Sequence, residues 1–592
     1  MLIVRRSVPE QPALTGLAPL LARLYAARQI SNTTELELDP AGLIPPSRMK
    51  GMDEAVNLLC NMLQKQGRVL IVSDFDADGA TSCVLAIRAL RSMGFRYVDY
   101  IVPDRFTYGY GLSPEIVELA LERKPDLIIT VDNGISSLEG VAAANAAGVP
   151  VLITDHHLPG AGLPAAAAIL NPNQPGCEFE SKALAGVGVV FYLMLGLRAE
   201  LRNRNWFDLS GIREPRLADL LDLVALGTVA DLVPLDRNNR ILVNEGLRRI
   251  RQGRACPGIL ALLEVGKRSF SALVAADLGF AVGPRLNAAG RLEDMSLGIA
   301  CLLSDNSNEA MPLALKLDSI NEERKRIESE MKEQAFQVLK ERQDALLVAG
   351  EGSLPAGLCL YDPAWHQGVI GIVAARLKEQ YHRPVIVFAD AGEDENGLRQ
   401  IKGSARSVSG LHIRDLLDEI ASHTPDLISR FGGHAMAAGL SLAYERFDEF
   451  RLAFESAVSR HLDEEALQKR LLTDGEISPA ELHIATAELI REAGPWGQGF
   501  PEPLFDGVFE VLGQRVLSGK HLKLVVSPPG LKQQAVDAIA FNVEQSLLAR
   551  SMSRVRLVYR MDINEFRGQR QLQLMIEHVE EVEDVTFCHN QG

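Results

Sequence analysis

The sequence predicts an α/β protein in several parts: a parallel-sheet domain, a long helix, a smaller α/β domain and a C-terminal β-barrel. Three observations carry this. Short apolar runs alternate with helical patterns between Gly67 and His157. Glu309 to Gln343 is charged, poor in glycine, and apolar at every third or fourth position. Beyond Ala466 the apolar runs are short, β-rich and separated by turn residues. Strand-length runs joined by helical stretches imply βαβ crossovers and parallel pairing. A sustained helical period between two such regions commonly separates two lobes, and several short β-rich runs suggest a small antiparallel barrel.

Taken in order, Arg68–Ser73 is a continuous apolar run followed by Asp74–Gly79 and a helical stretch from Ala80 to Met93. Tyr97–Val102, Asp126–Val131 and Val149–Thr154 are the next three runs, with helical patterns at Ser113–Arg123 and Ser136–Ala147 between them. Ala183–Leu197 is the greasiest stretch, falls short of the roughly 18 apolar residues a membrane span needs, and reads as a buried, glycine-rich helix. Leu220–Ala230 is a further apolar helix. Glu309–Gln343 reads as one helix of about 50 Å at its usual rise. From Leu346 the α/β pattern restarts, with Val385–Phe388 as a strand, and continues to about His461. Leu522–Val526, Val555–Tyr559 and Leu572–Ile576 are strands of the barrel.

At 592 residues, the chain has room for about four domains. Its 47% hydrophobic and 23% charged content is that of a globular protein and excludes a disordered or fibrous one. A net charge of −16 argues against indiscriminate coating of nucleic acid but leaves room for a local basic groove. The 7 cysteines include no C-x-x-C pair, which fits reduced thiols in the cytoplasm rather than a disulfide framework or structural zinc site. No signal-peptide pattern follows Arg5 and Arg6, so no membrane association is expected.

Chemistry concentrates where the first four strands end. The first delivers Asp74, Asp76 and Asp78, the third Asp132-Asn133-Gly134, and the fourth Asp155-His156-His157. In an open parallel sheet these ends line one crevice, and Asp231, closing the apolar helix, can reach it. Alone, each segment has a bland reading, since Asp, Asn and Gly after a strand form turns and helix caps. Together they exceed what turns require. Crowded carboxylates repel unless cations neutralise them. Oxygen ligands with imidazole and no thiolate suit Mn²⁺ or Mg²⁺. Two such ions would form a clamp for attack on phosphorus.

Asp74–Gly79, Val131–Gly134 and Asp155-His156-His157, in this order and spacing, resemble the DHH phosphoesterase superfamily. The likeness continues through Pro103–Leu112, Ala225–Asp231, Gly283–Leu292, Trp365–Leu377, Gly403–Ser407, Phe431–Gly439 and Gly494–Phe505. Within that superfamily it points to the bacterial exonucleases of single-stranded DNA.

The resemblance implies a DHH catalytic domain over 49–305 after an N-terminal segment 1–48. A linker helix over 306–345, a DHHA1-type phosphate-binding domain over 346–462 and an OB-like barrel over 463–592 complete the chain. It implies Asp76, Asp78, Asp132, His156 and Asp231 as metal ligands, with Asp132 bridging two divalent ions, Mn²⁺ or Mg²⁺. Asp74 and Asp155 would support the ligands, and His157 would face the scissile phosphate. Ser404, Arg406, Gly432, Gly433 and His434 would cradle a terminal phosphate, against a reading of the glycines as a tight turn and Arg406 as a surface residue. Arg285 and Asn287 would contact the nucleic-acid backbone, unless Asn287 is a cap. His366 and Arg376 would sit near the second lobe's cleft, Arg376 otherwise ending an amphipathic helix. Tyr108 and Tyr110 would border the crevice, stacking on bases or packing. Lys520, Lys523, Arg567 and Arg570 would give the barrel a basic stripe. The gap between lobes would admit one strand and exclude a duplex.

The implied activity is metal-dependent 5′→3′ hydrolysis of single-stranded DNA to 5′-mononucleotides in repair and recombination. A single-strand-binding protein and a helicase are the implied partners of a cytoplasmic monomer. The long N-terminal segment and the barrel argue against a phosphodiesterase of dinucleotides, and the complete ligand set argues against a non-catalytic scaffold.

Overall fold

In the computed structural model, which describes residues 1–9, 14–104, 106–348, 354–394, 397–463, 465–566 and 568–582, the apolar runs become strands. Arg105, Arg567 and Cys588 lie outside the described residues. After a short strand β1 (Leu2–Arg5), the first sheet uses β2 (Val69–Ser73), β3 (Val98–Ile101), β4 (Leu127–Val131), β5 (Val151–Thr154) and β6 (Ala168–Leu170). Its order is β3-β2-β4-β5-β6, parallel throughout. Every residue of β2, β4 and β5 is buried, as a sheet covered by helices on both faces requires. The last strand, β6, is only three residues long and ends the alanine-rich run Ala165–Leu170.

The greasy stretch forms a helix at Gly186–Asn203, and the apolar helix spans Leu221–Ala230. The charged region is one helix, Ser307–Val348, of 42 residues. Arg326 pairs on it with Glu323 and Glu330, both at 2.6 Å.

A second sheet follows, from β7 (Leu358–Tyr361), β8 (Val385–Glu393), β9 (Arg399–Arg406), β10 (Arg430–Gly433) and β11 (Ala437–Ala443), ordered β10-β11-β9-β8-β7. Only β7 and β8 are parallel; the remaining pairs are antiparallel. One of its cores joins β7 and β8 to the helix Ile370–Tyr381, and the other packs Phe388, Phe450 and Phe454 on the opposite face.

After the short strand β12 (Arg470–Thr473), a barrel closes through β13 (Phe505–Leu517), β14 (His521–Ser527), β15 (Val536–Ala540), β16 (Arg554–Phe566) and β17 (Gln569–Glu581). Its order is β13-β14-β15-β17-β16, with β15 and β17 parallel and the rest antiparallel. The α/β, helix, α/β and barrel succession predicted from sequence is the succession found.

Two compact units emerge. One holds Ile3–Asn287, Met295–Ala314 and Leu472–Gly592, so the first sheet and the barrel share it; the other holds Met1–Leu2, Ala288–Asp294 and Leu315–Leu471. Within the first, Arg28 and Asp474 form a buried pair at 2.9 Å. Tyr25, Trp496 and Phe500 stack beside it, with centroids 5.0–6.2 Å apart. Among the described residues no helix is long and apolar enough to cross a membrane.

Candidate metal centre and phosphate cradle

Register decides which side chains meet. Ser73 pairs with Val131, and Val131 with Thr154. The next residues, Asp74, Asp132 and Asp155, therefore leave the sheet side by side. Strand order reverses at β2, between β3 and β4, which is where α/β sheets open a ligand crevice.

Each acid is held by backbone donors. Asp76 caps the helix Ala77–Ser92, accepting from Asp78 N and Gly79 N at 2.9 and 3.0 Å. Gly79 cannot be larger, because a Cβ there would fall 2.5 Å from the Asp74 carbonyl oxygen. Asp78 accepts from Gly186 N at 2.6 Å and Val187 N at 2.9 Å. Its carboxylate thereby sits on the N-terminus of the Gly186–Asn203 helix, where backbone dipoles favour negative charge. A Cβ on Gly186 would lie 2.6 Å from Asp132 Oδ1, so this glycine lets the helix approach the acids.

Asp132 adopts a left-handed backbone, φ +63°, a conformation Asp tolerates better than most residues. Asp155 is fully buried: it accepts from Ile135 N at 2.9 Å, His156 N at 2.7 Å and His157 N at 3.0 Å. His157 Nδ1 lies 2.7 Å from Asp155 Oδ1. His156 Nε2 stands 3.2 Å from Asp132 Oδ1 and 3.5 Å from Asp231 Oδ2. Asp132 with His156 and His157, Asp78 with His156 and Asp231, and Asp74 with Asp76 and Asp132 each bring their ligand atoms within 4.8 Å.

The electrostatics are those of a cation pocket. Burial, then the charges of Asp78 and Asp76, push the Asp132 and Asp231 carboxyls well above the ordinary range. Burial and then Asp76 raise Asp78 to about 7. Burial opposes the charge on Asp155 too, but the His157 hydrogen bond holds its carboxyl low. Burial would lower His157, yet Asp155 brings it to about 9. Asp132 Oδ1 and Asn133 Oδ1 are buried with no hydrogen-bond donor among the described residues. Carboxylates and an imidazole at this spacing, with acceptor atoms left over and no thiolate, fit hard divalent ions.

Three asparagines outside the expected ligand set brace the pocket. Asn133 Nδ2 donates to the Val72 and Val131 carbonyls at 3.1 and 3.0 Å, tying β2 to β4. Asn171 and Asn173, just past β6, donate to the His157 and His156 carbonyls at 2.9 and 2.6 Å. For these two the signal was the Asn-Pro-Asn run, which gains meaning only once β6 is known to precede it.

The other expected residues have their own surroundings. Gly283–Leu292 is helical, and Asn287 Oδ1 accepts from Ala77 N at 2.7 Å, so it caps the helix beside Asp76. Arg285 is buried and donates to the Ala281 carbonyl at 2.6 Å. Tyr110 brings its hydroxyl 3.2 Å from the Asp132 carbonyl and 3.1 Å from His157 Nδ1, with half of the residue exposed. Tyr108 packs against the first sheet's core.

In the second unit, Ser404, Gly439 and Gly432 form one cross-strand row. A Cβ on either glycine would meet nothing within 4 Å. Arg406 donates to Ser404 Oγ at 3.1 Å, and burial lowers its pKa. Gly371, in the first turn of Ile370–Tyr381, lies so near that a Cβ would be 2.8 Å from Ser404 Oγ. Gly433 has φ +141°, and His434 N closes the hairpin on Ala437 O at 2.8 Å. His366 Nδ1 accepts from Gly368 N at 3.0 Å. Arg376, midway along Ile370–Tyr381, pairs with Glu328 at 3.1 Å and Glu379 at 3.2 Å. On the barrel, Lys523 is paired with Asp537 at 2.7 Å and Arg570 with Glu488 at 2.9 Å.

Comparison with known proteins adds to this geometry. The DHH family N-terminal domain matches residues 68–228, the DHHA1 domain 355–460 and the RecJ OB domain 473–578. The single-stranded-DNA-specific exonuclease RecJ of Escherichia coli (strain K12) is 52% identical over 577 residues, covering 97% of this chain and 98% of its own. That of Haemophilus influenzae is 50% identical, covering 98% and 100%. Among solved structures, RecJ from Thermus thermophilus in complex with Mn²⁺ superposes with a TM-score of 0.77 at 28% identity, covering 98% of this chain and 80% of that one.

Proposed function

We propose a function from one premise: the chain belongs to the RecJ family of single-stranded-DNA-specific exonucleases. It is a metal-dependent exonuclease of single-stranded DNA, and its cofactors are Mn²⁺ or Mg²⁺ ions. Beyond that, our reading is that hydrolysis runs from the 5′ end, releases 5′-mononucleotides and serves repair and recombination in the cytoplasm. The observation that carries it is the pocket of Asp76, Asp78, Asp132, His156 and Asp231 at the strand ends, with buried acceptor atoms left over.

In this reading those five side chains hold two ions. Divalent ions bound there supply Lewis-acid neutralisation of phosphoryl charge and lower the pKa of water. The protein does the rest. Asp155 lies 2.7 Å from His157 Nδ1 and favours its protonated form, in which the imidazolium would offer positive charge to the scissile phosphate. The Tyr110 hydroxyl and the Asn171 and Asn173 amides hold the histidine segment in place. Asp74 supports the loop, and Asn287 and the Gly186–Asn203 helix fix the Asp76–Asp78 turn. Ser404, Arg406, Gly432, Gly433, His434 and His366 bind phosphates of the strand, an open row of glycines and a guanidinium being suited to an anion. Arg285 supports the helix carrying Asn287, and the two residues contact the nucleic-acid backbone or the scissile phosphate. A monomer working with a single-strand-binding protein and a helicase completes the proposal.

The test is a nuclease assay on 5′- and 3′-labelled single strands with Mn²⁺, Mg²⁺ or EDTA. Release of 5′ label as mononucleotide at the earliest times, abolished by EDTA, is the expected result; early loss of 3′ label would refute the polarity.

A further inference from the structure

Two exposed apolar side chains lie on segments that flank Asp231, and nothing in the chemistry above uses them. Phe280 is 80% exposed and Leu232 67% exposed. Single exposed apolar residues are common on protein surfaces. What sets these two apart is their backbone and their neighbours.

Leu232 directly follows Asp231 and has φ +60°, a left-handed conformation that costs a leucine about 1 kcal/mol or more. Phe280 lies in a π-helical turn, Leu278–Val282, a rare geometry that recurs at functional sites. The turn presses on the end of the Leu221–Ala230 helix. A Cβ on Gly279 would lie 3.3 Å from Val229 Cγ1, and one on Gly283 3.1 Å from the Ala230 Cβ. The two irregular segments therefore meet where Asp231 enters the pocket. From the same turn the chain continues into the helix whose Asn287 caps Ala77, next to Asp76. Leu232 is thus held in water one residue beyond Asp231, and Phe280 in the turn that packs on the end of the same helix.

The occupant is constrained by this continuity. A phosphodiester lying over the carboxylates must place its nucleobases outside the acidic pocket, on the rim. An unpaired base offers a flat apolar face, and aromatic side chains stack on such faces with little regard to sequence. A base inside a duplex offers no such face.

We propose that Phe280 and Leu232 are the base-contacting rim of the crevice. The Phe280 ring stacks on an unpaired nucleobase of the strand being hydrolysed, with Leu232 against its edge, so these residues help select single strands. This rests on the single-strand exonuclease reading and assigns its specificity to side chains.

The experiment uses the full-length protein and the variants Phe280→Ala, Phe280→Tyr and Phe280→Trp. Steady-state hydrolysis is compared on an ordinary strand and on the same strand with its first several nucleotides abasic. Phe280→Ala should raise KM by about 5- to 150-fold on the ordinary strand, with kcat changing much less, and should match wild type on the abasic strand. Phe280→Tyr should restore the wild-type KM. An equal loss on both strands would assign Phe280 a purely structural role and overturn the proposal, as would no loss on either. A second arm needs no turnover: with Mn²⁺ present, oligothymidylate carrying nuclease-resistant phosphorothioate linkages should quench Phe280→Trp fluorescence beyond what Trp206, Trp365 and Trp496 give in wild type. Absence of that extra quenching contradicts the contact. If wild type degraded no single strand, the exonuclease reading would fail while this arm still decided the contact.

Discussion

Asp132 carries more of the site than any other side chain. It is buried to 1% exposure, faces His156 at 3.2 Å, and belongs to two of the three ligand clusters. Replacing it with Ala should lower kcat on the order of 10³-fold or more, because several kcal/mol of charge stabilisation go with the ions it holds; thermal melts should show the variant folded. Asn173→Ala keeps every ligand but frees the His156 carbonyl that Nδ2 holds at 2.6 Å. Supporting hydrogen bonds of this kind are worth about 10- to 100-fold in metal affinity or activity. A Mn²⁺ titration of activity should show that loss, largest at limiting metal. The acids and histidines were legible in the sequence because carboxylates accumulate at successive strand ends beyond what turns need. Asn171 and Asn173 were not, because the run before them, Ala165–Leu170, is mostly alanine and does not read as a strand. For Asn287 the sequence left two readings, a contact to the nucleic acid or a cap, and the structure adds that its Oδ1 accepts from Ala77 N.

At the scale of elements, strand order and register do what side-chain identity cannot. Parallel pairing of Ser73, Val131 and Thr154 aligns three acids that are far apart in sequence, and alternating runs predicted that sheet. The glycine-rich helix was legible as buried but not as the segment whose backbone N–H groups hold Asp78. Gly186→Ala would drive a Cβ to 2.6 Å from Asp132 Oδ1. The expected result is weaker Mn²⁺ binding by calorimetry in a protein that still folds. Arg28, just past the helix Pro19–Ala26, joins the N-terminal part of the chain to Asp474 ahead of the barrel, and both side chains are 1% exposed. Arg28→Ala leaves that carboxylate with only the more distant Arg6, at 3.9 Å, and should cost about 3–5 kcal/mol, read from denaturant midpoints. Asp506 adds a pH-dependent tie. Burial opposes its charge, but hydrogen bonds from Arg5, Thr473 and Arg556 outweigh burial and hold its carboxyl at about 2. Its folded pKa lies below the unfolded one, so its stabilisation is complete above pH 4 or so and disappears as pH falls towards 2. After allowance for solvent screening this amounts to about 1–2 kcal/mol; Asp506→Asn should flatten that part of the acid-denaturation curve.

Across the whole molecule, the acidic charge of −16 coexists with a substrate that is itself an anion. The acid pocket resolves this only if cations enter it before DNA does. Metal should therefore stabilise the fold by relieving repulsion among Asp76, Asp78, Asp132 and Asp231. Mn²⁺ at about 100 times its Kd adds about 2.7 kcal/mol if it binds only the native state, and the thermal midpoint should rise accordingly in wild type but little in Asp132→Ala. The central claim is that this pocket holds a pair of divalent ions. Anomalous diffraction from crystals grown with Mn²⁺ measures it most directly. Two peaks bounded by Asp76, Asp78, Asp132, His156 and Asp231 are what the account predicts. Density without any anomalous signal among those side chains, at saturating Mn²⁺, would contradict it.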